Sequence, residues 1–127
     1  MRQVISAIIL AAAYATQAGD STSELETLQT RAWAMYSQIQ DRLFQESTVF
    51  NRIIVTAERS SRSGDRTASQ AYQDMLEESS NIRSRNKPFY EWDFETDLNQ
   101  AMEERSIKKA QDVIQSLINW NAYFGFE

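Results

Sequence analysis

From Ser23 to Ala57 the chain runs without a Gly or a Pro. Leu25, Leu28, Ala32, Met35, Ile39 and Leu43 recur along it at steps of three and four. That spacing places them on one face of an α-helix. Phe50, Ile53, Ile54 and Ala57 continue the stripe with a small shift of phase. Ser23 followed by Glu26 matches a capping box, in which hydroxyl and carboxylate satisfy orphan backbone N–H groups reciprocally. The polar step Glu46-Ser47-Thr48 offers a second start, giving helices 24–46 and 49–60 as the alternative. No turn residue supports that break, so one long helix is expected. Such a helix cannot bury its stripe alone, and the remaining chain must cover it.

The clearest loop is Ser60-Ser61-Arg62-Ser63-Gly64-Asp65. Gly64 can take positive φ, and Asp65 or Thr67 can cap the next helix, with Thr67 and Gln70 forming a second capping-box pattern. That second helix is expected over 68–83, with Ala71, Tyr72, Met75, Leu76, Ser79 and Ile82 facing inward. Pro88 should stop any helix, because it lacks an N–H and its ring crowds the preceding turn. Asp93 or Thr96 then caps a third helix over 96–121, carried by Leu98, Met102, Ala110, Val113, Ile114, Leu117 and Ile118. Three helices with short connections predict an all-α fold, a small antiparallel three-helix bundle, with four helices if the first run breaks near Ser47. The middle of the first helix pairs with the second, and the third lies in the remaining groove. The heptad-like stripe also suits a coiled-coil partner helix or a second copy, hence a homodimer.

Met1–Ala18 reads as a signal peptide: Arg2, an apolar run from Val4 to Ala13, then small residues, with cleavage after Ala18. The expected organisation is a signal over 1–18 and a single helical domain over 19–127. The apolar run is short for a membrane span, which needs about 20 residues. The chain has no Cys. Small secreted eukaryotic domains usually depend on disulfides, so export points to the periplasm. No Cys and no His among 127 residues excludes thiol nucleophiles, Ser-His-Asp and Cys-His triads and the commonest transition-metal ligands. The formal charge of −5 argues against nucleic acid, whose phosphates reward Lys and Arg. No enzyme, no cofactor and no metal site is expected.

Two aromatic clusters carry the functional expectation. Phe89, Tyr90 and Trp92, with Phe94, precede the third helix; Trp120, Tyr123, Phe124 and Phe126 end it. A helix over 96–121 would span about 39 Å, keeping the clusters at opposite ends. Each could plug an end of the core, or present the ring types that dominate binding hot spots. Asp93, Glu95 and Asp97 lack the Gly and terminal Glu of a Ca²⁺ loop and suit a helix N-terminus instead. Glu77-Glu78 and Glu103-Glu104 point apart on a helix, and Glu104 is expected to pair with Lys108. Arg59, Arg62 and Arg66, and Arg83, Arg85 and Lys87, are expected near helix C-termini. The reading is an exported, non-enzymatic helical protein, secreted or periplasmic, acting by protein–protein contact as an inhibitor, immunity or assembly factor. The alternatives are a membrane-proximal regulator that retains its N-terminal segment, as a phage lysis regulator does, and a small-ligand carrier with a cavity lined by Tyr36, Tyr72 and Met75.

Overall fold

A computed structural model describes residues 21–126; the signal segment expected over 1–18 lies outside them. Four helices succeed one another: α1 (Ser21–Ser61), α2 (Arg66–Glu91), α3 (Phe94–Glu103) and α4 (Ile107–Phe124). No strand occurs among the described residues. The protein is a small all-α helical bundle, as the periodicity requires. The described residues divide into two compact units, one holding 21–39 together with 93–126, the other Gln40–Trp92.

In the first unit the N-terminal half of α1 packs with the α3–α4 hairpin. Leu25, Ala32 and Ile39 are buried from α1, Leu98 and Ala101 from α3, and Ala110, Val113, Ile114 and Leu117 from α4. Leu25, Ala101 and Ala110 form one cluster, with Leu28, Met102 and Ile107 packed against it. Each fully buried Leu or Ile contributes about 1.5–3 kcal/mol relative to exposure. Ser23 is not the N-cap of α1, because the helix already begins at Ser21.

The single helix expected over 96–121 is two. Arg105 takes the left-handed conformation (φ 52). Ser106 N donates to Ala101 O at 3.0 Å and Arg105 N to Met102 O at 3.1 Å, the paired bonds of a Schellman ending. The Ser106 hydroxyl then accepts from Lys109 N and caps α4. A non-glycine residue in this conformation costs about 1–2 kcal/mol, and no Gly or Pro marks the spot in the sequence.

Asp93 is the N-cap of α3. Its Oδ1 accepts from Thr96 N at 3.2 Å and its Oδ2 from the Thr96 hydroxyl at 2.7 Å. The Thr96 hydroxyl first, and its backbone N–H second, hold the Asp93 carboxyl below its ordinary value of 3.8. The cap is therefore fully effective above the ordinary carboxylate range and is lost as pH falls through Asp93's own lower value. In an acid titration followed by NMR, the Thr96 amide is expected to shift with a midpoint below 3.8, and Asp93→Ala should abolish that transition.

The second unit is a helical hairpin made by the C-terminal half of α1 and by α2. Gly64 (φ 87) makes the turn. Asp65 is the cap, accepting from Thr67 N at 2.8 Å and Ala68 N at 3.4 Å. Thr67 forms no capping box with Gln70, which donates to Asp74 instead. The helices run antiparallel: Arg85 pairs with Glu46 at 3.1 Å, while Phe50, nearer the turn, shares a groove with Ser79 and Ile82. α1 does not break at Glu46-Ser47-Thr48, where the Thr48 hydroxyl donates back to Phe44 O at 2.9 Å. Nor does Pro88 stop α2, which continues to Glu91. Only the last turn lies beyond Pro88, and it carries Phe89 into a fully buried position. That burial, about 1.5–3 kcal/mol, offsets most of the roughly 3 kcal/mol that an interior Pro costs.

Candidate interaction surfaces

The structure separates the predicted aromatic residues by burial. Phe89 is fully buried and Phe124 nearly so, whereas Tyr90 and Tyr123 are more than half exposed. Trp92, Trp120 and Phe126 are half-buried. In the second unit Phe89 meets Tyr90 edge-on at 5.8 Å and Trp92 at 6.4 Å. In the first unit Trp120 meets Tyr123 edge-on at 5.4 Å and stacks on Phe124 at 5.8 Å. Gly125 takes φ 70, and Phe126 N donates to Asn121 O at 2.9 Å. That turn brings Phe126 back onto Phe124 at 5.3 Å. Phe124 is thus a core residue, with Tyr123 the exposed edge of the tail.

Phe94 belongs to a different cluster from its sequence neighbours. It stacks on Tyr36 at 4.1 Å and meets Trp33 edge-on at 4.9 Å. The break at Arg105 also removes the expected end-to-end separation for Phe94, which shares a unit with the tail. Folded back as a hairpin, α3 and α4 place Asp97 and Ser116 along one groove, with Gln100, Lys109 and Asp112 nearer the turn. Phe94 therefore lies at the same end of this hairpin as the α4 C-terminus. Of the residues named for a carrier cavity, Tyr36 lies in the first unit and Tyr72 and Met75 in the second.

Further exposed apolar residues lie in the hairpin. From Phe44 to Arg85 no residue of the hairpin is buried. Phe44 is 71% exposed, and Val49, Ile53, Val55 and Leu76 each exceed 40%. Ala71 and Leu76, expected on the inner face of α2, are exposed. A two-helix hairpin has one contact line and cannot cover a stripe as wide as α1 carries. Along one side a groove of about 460 Å³ opens, lined by Val49, Phe50, Ile53 and Ile82, with Glu46, Glu78 and Arg85 at its polar edge. The stripe was readable in the sequence. That the hairpin covers it only in part was not, because the third helix was expected to complete the cover.

Several charged groups are engaged in local contacts. Glu104 pairs with Lys109, at 2.8 and 2.9 Å, and not with Lys108, which reaches Asp112 at 3.2 Å. Glu104 is the C-cap of α3, so helical i,i+4 geometry does not extend from it. The bond from Lys109, then one from Gln100, hold its carboxyl below the ordinary value. Arg62 pairs with Glu58. Arg83 and Arg85 sit within α2 rather than at its C-terminus, which has no basic residue in its last turn. Arg83 donates to the Ser79 hydroxyl, and Arg85 to Asn86 Oδ1 and Glu46. Among the described residues no group of three His, Cys, Asp or Glu is placed to hold a metal ion, and no helix is long and apolar enough to cross a membrane. No known protein family, curated protein or solved structure matches the chain.

Proposed function

We propose that this chain is an exported, non-enzymatic helical protein that acts by contact with another protein chain through the open face of the 40–92 hairpin. The observation that carries this reading is the open edge of the stripe: Val49 and Ile53 stand exposed beside an apolar groove, in a segment with no fully buried residue from Phe44 to Arg85. Contiguous exposed apolar surface on a folded protein marks an interaction site. The tail of α4 offers a smaller surface of the same kind, with Tyr123 exposed beside half-buried Trp120 and Phe126. Support for export is the charged, apolar and small-residue order of Met1–Ala18.

The test is capture of a protein partner from a cell envelope extract by the chain and by its Ile53→Asp variant. The variant is expected to keep its fold and lose the partner. If Ile53→Asp captures as well as the parent, the hairpin face is not the contact surface. If Trp120→Ala and Tyr123→Ala then lose capture, the surface is the tail.

A further inference from the structure

The polar edge of the hairpin groove carries a charge pattern that selects its occupant. Glu78 and Arg85 both line the groove, with Ile82 between them on the same face of α2 and Glu46 of α1 beside Arg85. They lie one heptad apart, about 10.5 Å along the helix. Opposite charges four and three residues to either side of an apolar residue are close to self-complementary under a two-fold axis, because in such a contact residue i meets j and j meets i. We infer that a second copy of this chain covers the groove, two hairpins packing antiparallel about an axis near Ile82 to complete a four-helix bundle.

In that arrangement Ile82 meets Ile82, and Arg85 of each copy lies beside Glu78 of the other. Val49 and Ile53 of each α1 are withdrawn from water against the facing groove. Arg85 keeps its bond to Glu46, since a guanidinium has five N–H donors in a fork. The inference rests on the hairpin face being a contact surface and adds the identity of its occupant.

Sedimentation across a concentration series, on the full chain and three variants, tests the inference. The parent is expected at twice the chain mass at micromolar concentration, and Ile53→Asp at one chain mass with an unchanged helical spectrum. Glu78→Arg alone and Arg85→Glu alone each oppose like charges at both symmetric contacts, and should weaken the dimer by about tenfold or more. An equimolar mixture of those two variants restores opposite charges at both contacts, so it should dimerise more tightly than either variant alone. A mixture no tighter than either variant would overturn the antiparallel register. A parent that stays at one chain mass up to about 500 μM, roughly −4.5 kcal/mol of association, would overturn the second copy as occupant. If Ile53→Asp still abolished capture of a different protein in that case, the contact-face reading would stand and only the self-association would fall.

Discussion

Phe94→Ala is expected to lower the stability of the protein by about 3–5 kcal/mol, the range for removing a buried aromatic side chain. Phe94 is 1% exposed. Its ring lies flat on Tyr36, at 4.1 Å between centroids and 5° between planes, and edge-on to Trp33 at 4.9 Å. Such pairs add about 0.5–1.5 kcal/mol beyond area burial. Trp33 and Tyr36 sit one turn apart on α1, which fixes both rings, so the space left by truncation cannot readily close. The change also falls on the first residue of α3, immediately after the Asp93 cap. Against a total stability of about 5–15 kcal/mol for an ordinary domain, the loss is a large share. Urea unfolding followed by far-UV circular dichroism should show the midpoint falling without a change of slope. A loss under about 1 kcal/mol would mean that the site tolerates a void, contrary to the packing of the three rings.

The second large effect separates binding from stability. Ile53 is 45% exposed, so Ile53→Asp should change folding stability by no more than about 0.5 kcal/mol, as for most surface substitutions. Placed in a contact, the same carboxylate would have to leave water without a partner. The expected loss of affinity is about 2 kcal/mol or more, roughly thirtyfold. Calorimetric titration of the captured partner against parent and variant reads the binding change, and a thermal melt reads stability. Equal affinities would remove Ile53 from the contact. A variant that unfolds would show that the residue is buried in the free protein.

The long stripe of α1 was legible because hydrophobic periodicity is the strongest local signal a helix leaves: Leu25, Ala32, Ile39 and Leu43 are all buried. So were the turn at Gly64 and the cap at Asp93, each set by residues next to the feature they make. The two misread boundaries share a cause. Pro88 is tolerated inside α2 because a single further turn buries Phe89. The chain turns at Arg105 because the α3–α4 hairpin buries Leu98 against a core that one straight helix could not form. Tertiary packing overrode local propensity at both places, and no pattern within a few residues records it. The candidate contact surface was half legible. Val49, Ile53 and Ile82 were visible as apolar positions, but whether other residues cover them depends on contacts far apart in sequence. In the aromatic tail, Phe124 takes the core-plugging role the sequence offered, and Tyr123 stands exposed.

Amide hydrogen exchange on the free chain, dilute enough to be uncovered, and on the chain with its contact partner bound tests the central claim most directly. Local opening is easiest where few apolar groups are buried. Amides between Val49 and Ile82 should exchange about tenfold or more faster than those of Val113–Leu117 in the free chain, and slow when the hairpin face is covered. Exchange from Val49 to Ile82 as slow as in Val113–Leu117, and unchanged by the partner, would show that the hairpin is complete by itself and that its open face is not where the protein makes contact.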